Sequence, residues 1–115
     1  QDGVKLALGS DFPVEVATPL WGLYGGLTRM AADGTPAGGW RPEHKLSMDE
    51  LLTGFTAGSA YAQFAENRLG RLKPGYQADF VVFERDLRLT PGNEIMKTKV
   101  LSTWVAGQEV GGVGK

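Results

Sequence analysis

The spacing of apolar positions changes several times along the chain, and each change predicts an element. Val4 to Leu8 is a short apolar run broken by one lysine, and a run of that length closed by Gly9 predicts a buried β-strand. Thr18-Pro19 has the form of a helix start, with threonine as N-cap and proline at the first helical position. Leu20, Leu23, Tyr24, Leu27 and Met30 follow at helical spacing, with Trp21 beside them. Gly22, Gly25 and Gly26 fall inside this helix. Each costs roughly 1 kcal/mol relative to alanine, so the helix is expected to pack tightly against a neighbour. Residues 32–39, rich in Gly and Pro, form a loop.

Ser47-Met48-Asp49-Glu50 is a capping box, in which the serine oxygen and the glutamate each satisfy an orphan N–H. Leu51, Leu52 and Phe55 make an apolar face, and Thr56 and Gly58 interrupt it. Ala60, Tyr61, Phe64 and Ala65 resume it, so residues 47–66 are expected as a helix pair that ends at Asn67. After Arg68 the pattern turns to β. Leu72-Lys73-Pro74-Gly75 places Pro and Gly for a type II turn. Ala78 to Phe83 is dense in β-formers, and Pro91-Gly92-Asn93 signals another turn. Val100 to Val105 alternates, and Gly107 stands before a short hairpin partner at Glu109-Val110. The chain therefore divides near Leu69, with a strand and helices before and mostly strands after. The first strand has no partner within its own half, which suggests a piece of a larger fold.

Composition adds mainly exclusions. The 115 residues suit one domain or part of one, with 42% apolar and 22% charged residues. Net charge is −1, which excludes the electrostatic footprint of a nucleic-acid or anionic-membrane binder. There is no cysteine, hence no disulfide and no thiolate metal site. No apolar run is long enough to span a bilayer, and no basic-then-apolar leader is visible. Location is not read from this, and a cytoplasmic one is only the default expectation. The chain begins with Gln, as a processed, truncated or excised piece would.

The candidate chemistry centres on Asp11, in Leu8-Gly9-Ser10-Asp11-Phe12-Pro13. A carboxylate just beyond the carboxyl end of a buried strand stands where α/β enzymes place active groups, and it can bind a metal or accept a proton. The competing reading is a turn-maker whose side chain accepts neighbouring N–H groups. His44 is the only histidine, with no second ligand at a suitable spacing, and reads as an exposed loop residue. Asp2, Glu15, Asp33, Asp49 and Asp86 form no paired motif, and Asp79 opens a strand. Ser10 and Ser59 lack a histidine partner for a triad. No phosphate loop is present. Trp21, Trp40 and Trp104 read as packing groups.

Four stretches taken in order carry a resemblance: GSDFPVE, PLWGLYGGLTR, the run from GTPAGGWRPEHKLSMDELL through GSAY to GRLKPGYQADFVVFERDL, and VLSTWVAGQEV. Together they resemble the C-terminal end of the amidohydrolase superfamily, in amidohydrolase family 3, the YtcJ-like metal-dependent hydrolases. The resemblance implies an α/β plus β architecture. The last β/α unit of a TIM-barrel amidohydrolase, residues 1–68, would precede the C-terminal strands of a composite β-sandwich, residues 69–115. It implies a hydrolase of non-peptide carbon–nitrogen bonds, with amide or cyclic amide substrates and a divalent metal, zinc foremost, in the full-length parent. Asp11 would be both metal ligand and catalytic base. Trp40 and Arg41 match a loop at the barrel mouth and would contact substrate.

The family's histidines belong to earlier strands. This chain alone is therefore expected to hold no metal and to be inactive. Its expected partners are a small amide-type substrate in the parent and the remainder of the barrel, or a second copy of itself, with no nucleic acid and no membrane. Apolar surface on Val4, Leu6, Leu8 and the Leu20–Met30 helix is expected to be exposed. The alternative is a non-catalytic regulatory or interaction module of the exoenzyme-regulator kind.

Overall fold

Thr18 starts the first helix as its sequence predicts, accepting at Oγ1 from the Leu20 amide, and α1 runs Pro19–Thr28. The structure, a computed structural model, describes residues 3–112. α1 ends where Arg29 takes a left-handed conformation (φ 60°) and its N–H closes on Gly25 O, so Met30 lies beyond the helix. A 3₁₀ turn covers Pro42–His44. The capping box is fully formed: Ser47 Oγ accepts from the Glu50 amide, while Glu50 Oε2 accepts from the Ser47 amide at 2.8 Å. This box opens α2, Met48–Thr53.

The expected helix pair is instead one continuous rod. Gly54–Gly58 stay helical but widen to a π turn, and α3, Ser59–Ala62, continues in the same conformation. Thr56 and Gly58 thus alter the pitch without breaking the helix. The rod also ends earlier than Asn67. Phe64 adopts φ 59°, its N–H donates to Tyr61 O, and the Ala65 N–H reaches back to Ala60 O. That double closure is a Schellman motif with phenylalanine where glycine is usual. Ala65 is buried by it, and Phe64 is left 90% exposed.

β1 is Phe80–Phe83. The expected turn at Pro91-Gly92-Asn93 opens a short helix, α4, Gly92–Ile95. β2, Val100–Val105, and β3, Gln108–Gly112, complete an antiparallel sheet in the order β1-β2-β3. The β2–β3 turn has positive φ at Ala106 (51°) and Gly107 (77°), the two-residue hairpin geometry that matches strand twist. Asp79 Oδ1 accepts from the Ala106 amide at 2.8 Å, so the lead-in to β1 holds the hairpin tip. Phe80 pairs across strands with Trp104, rings stacked with centroids 5.5 Å apart. Trp104 is thus a packing group as expected.

The core joins Leu20, Leu23 and Tyr24 of α1 to Met48 and Leu51 of α2, with Leu87 and Ile95 from beyond Leu69. The helix glycines explain how α1 and α2 approach. A side chain at Gly22 would meet Phe55, and one at Gly26 would collide with Leu51, which is buried. The expected exposure of the whole Leu20–Met30 stretch is therefore corrected. Its apolar stripe is covered within the chain, and of its large apolar residues only Trp21 is exposed.

The burial read for Val4–Leu8 is not supplied by the described residues, and the exposure expected of Val4 and Leu6 is found. Among the described residues this segment pairs with no strand, and Val4 and Leu6 are 76% and 44% exposed. Its docking partner is the helical rod. The Leu8 amide donates to Gly54 O at 3.0 Å, and side chains at Gly54 or Gly58 would collide with Leu8 and with Leu6 O. An apolar run predicts burial but not which neighbour provides it. No helix among the described residues is long and apolar enough to cross a membrane.

Candidate functional site

The segment leading to Asp11 is clamped at its end. The π turn offers Gly54 O to the Leu8 amide, and Ser59 Oγ lies 2.7 Å from Leu8 O and 2.9 Å from Gly54 O. Ser59, from the GSAY stretch, therefore fixes the chain three residues before Asp11. π turns recur at functional sites. Sequence reasoning treated Ser59 only as a failed triad serine. The signal that would have found it is the pair Gly54 and Gly58, four residues apart on one helix face.

Beyond the clamp the chain turns sharply. Asp11 has φ 52°, a left-handed conformation that aspartate tolerates better than most residues, and Val14 N–H donates to Asp11 O at 2.9 Å. The turn is thus made by the backbone of Asp11. Its side chain is exposed and, among the described residues, has no hydrogen-bond or ion-pair partner. Other acids do serve as turn-makers. Asp33 accepts from the Thr35 amide and hydroxyl, which holds its carboxyl below the ordinary value, and Asp86 accepts from the Arg88 amide. Asp49 meets Arg88 at the surface. Asp2 lies outside the described residues. Asp11 is unlike Asp33 and Asp86: among the described residues its carboxylate caps nothing.

Beside this turn lies a hollow of about 220 Å³ bordered by Gly9, Ser10, Glu15, Tyr24, Met30 and Phe55, among others. Asp11, Trp40 and Arg41 do not line it. Ser10 immediately precedes Asp11, and Met30 immediately follows Arg29. Trp40 and Arg41 are on the surface, and Trp40 is 59% exposed, so its expected role in packing is corrected. Its backbone is tied to Arg29 by Trp40 N–H to Arg29 O at 2.8 Å, and Arg29 Nε donates to Trp40 O at 3.2 Å. The guanidinium carbons of Arg29 and Arg41 stand 5.2 and 5.1 Å from the Trp40 ring centroid. Arg29 was not among the residues singled out from sequence.

His44 sits in the 3₁₀ turn, exposed, 3.8 Å from Glu43, as the loop reading expects. Among the described residues no three His, Cys, Asp or Glu side chains converge on a point that could hold a metal ion. The donor set present, one carboxylate without histidines, does not fit a metal centre by itself.

A model of the "Amidohydrolase family" matches residues 1–110. The chain is 34% identical to Protein LONG AFTER FAR-RED 3 of Arabidopsis thaliana over 91% of its own length and 18% of that protein's. It is 28% identical to N-substituted formamide deformylase of Arthrobacter pascens, covering 91% of the chain and 19% of the relative. The fold is similar to that of an amidohydrolase from Thermotoga maritima, with a TM-score of 0.66 and 25% identity, over 96% of this chain and 24% of that one. The chain thus spans about a fifth of the length of these curated relatives. The ordered motifs, the family match over almost the whole sequence and the structural likeness agree: this chain belongs to the amidohydrolase family.

Proposed function

We propose that this chain is the C-terminal part of a hydrolase acting on carbon–nitrogen bonds other than peptide bonds, with Asp11 as its contribution to the reacting centre. The observation that carries the reading is the state of Asp11. It is an exposed carboxylate with no partner among the described residues, at a backbone turn whose approach is clamped by Gly54 and Ser59. The family match and the similarity to a formamide deformylase support the reaction class.

In this reading residues 4–8 are a barrel strand whose neighbours come from other parts of the polypeptide, which accounts for the exposure of Val4 and Leu6. The β1-β2-β3 sheet belongs to a β-sandwich completed in the same way. Asp11 takes a proton from the water that attacks the amide carbon and returns it to the nitrogen as the C–N bond breaks. A divalent metal, zinc foremost, would make that water acidic, with Asp11 as one ligand among others supplied elsewhere. These residues alone are inactive, because one carboxylate can neither hold a metal tightly nor orient a water. Trp40 and Arg41 face the substrate.

The test is hydrolysis by the polypeptide as its gene encodes it, assayed with N-substituted formamides and cyclic amides by amine release. Turnover of at least one class is expected. Failure on both classes, by protein shown to be folded and supplied with zinc, would overturn the reading.

A further inference from the structure

We propose that Arg29 and Arg41, set against the face of Trp40, form a recognition site for a carboxylate carried on an apolar body, and that the substrate of the site described above has that form. The inference rests on the reading of Asp11 for its link to catalysis, but the binding it describes stands apart. Two guanidiniums near one exposed indole, at 5.2 and 5.1 Å from its centroid, concentrate positive charge on an aromatic platform.

Neither guanidinium meets a carboxylate among the described residues. The acids nearest in sequence are engaged elsewhere, Asp33 with Thr35 and Glu43 beside His44. Among the described residues the Arg29 guanidinium makes one hydrogen bond, from Nε to Trp40 O, so its terminal amino groups are left for a ligand. The site is also built into the backbone. Arg29 and Arg41 both have left-handed φ (60° and 49°), the Trp40 N–H to Arg29 O bond ties the two stretches together, and Gly39 (φ +90°) passes so close to Thr28 O that a side chain would collide with it.

Guanidinium forks match carboxylate and phosphate alike, and the exposed indole decides between them. A planar or apolar group beside the charge gains contact with the ring, and a bare oxyanion gains none. Ser10, next to Asp11, and Met30, next to Arg29, both border the 220 Å³ hollow, which brings the two stretches to one region of the surface.

The experiment is titration calorimetry on the encoded polypeptide, stripped of metal with EDTA so that a carboxylate cannot bind through an ion. Phenylacetate is compared with phenylacetamide and with inorganic phosphate. Phenylacetate is expected to bind at least about tenfold more tightly than either, as expected for a charge-assisted fork plus a ring contact. Arg41→Gln, an exposed change checked for folding by circular dichroism, is expected to weaken phenylacetate about tenfold, and Arg41→Lys to recover only part of the loss. Equal binding of phenylacetate by wild type and Arg41→Gln would overturn the proposal. So would phosphate binding as tightly as phenylacetate. A polypeptide that binds phenylacetate as expected yet hydrolyses no amide would sink the hydrolase reading and leave this site standing.

Discussion

At the residue scale, Asp11 and Phe64 pose the same question and answer it differently. Both hold a left-handed backbone that costs a non-glycine residue about 1–2 kcal/mol. Phe64 gains nothing visible in return, being 90% exposed at a helix end where glycine is usual. Phe64→Gly is therefore expected to raise stability by about 1 kcal/mol in chemical denaturation. A loss of stability would show that the Phe64 ring is covered by something else. For Asp11 the strained position presents an uncapped carboxylate. Its place at the end of an apolar run was legible in the sequence. Its freedom from the turn was not, because a turn-capping aspartate and a presented one have the same neighbours in the chain. Arg29 was missed for a related reason, since its meeting with Trp40 depends on a loop of ten residues closing back on itself. Ser59→Ala removes the hydroxyl that ties Leu8 O to the rod. It is expected to destabilise by about 1 kcal/mol, the ordinary worth of such a bond, read from denaturant midpoints.

At the element scale, local signals were read well and non-local ones poorly. Thr18 and Ser47 cap their helices within three residues, so α1 and α2 begin where sequence places them. The β2–β3 hairpin likewise follows from Gly107. The partner of residues 4–8 could not be read, because pairing joins Leu8 to Gly54 across the whole helical half of the chain. Nor could the π turn, since Gly and Thr inside a helix signal a break as readily as a wider pitch. The glycines of α1 give a sharp test of the packing argument. Gly25 has open space where a side chain would go, whereas Gly26 is pressed against Leu51. Gly25→Ala is expected to stabilise by up to about 1 kcal/mol through helix propensity. Gly26→Ala is expected to destabilise by about 1–3 kcal/mol through overpacking. Thermal melts of the two variants that moved in the same direction would refute the account of how α1 and α2 meet.

At the scale of the whole molecule, the two halves seen in the sequence share one buried cluster, in which Leu87 and Ile95 pack with α1 and α2. Carboxylates on this second half make its stability depend on acid. Glu84 takes the Lys99 amide and then Arg85, and Glu94 takes Lys97. Both are held below the ordinary value of 4.5. Groups with lowered folded pKa values stabilise above the unfolded value, and that stabilisation is lost as pH falls through the folded one. Stability is thus expected to be flat from neutrality to about pH 5 and to decline below 4.5, with Glu84→Gln blunting the decline. An acid decline of equal size in that variant would assign it to other groups. The central claim is that Asp11 acts on substrate while acids such as Asp33, Asp79 and Asp86 serve structure. Its most direct measurement is amide hydrolysis by Asp11→Asn in the encoded polypeptide, beside Asp49→Asn as a control that removes only the surface pair with Arg88. Asp11→Asn is expected to lose activity by roughly a hundredfold or more with unchanged folding, and Asp49→Asn to stay near wild type. Activity of Asp11→Asn within a factor of about two of wild type would contradict the account, since a lost acid–base group costs far more than that.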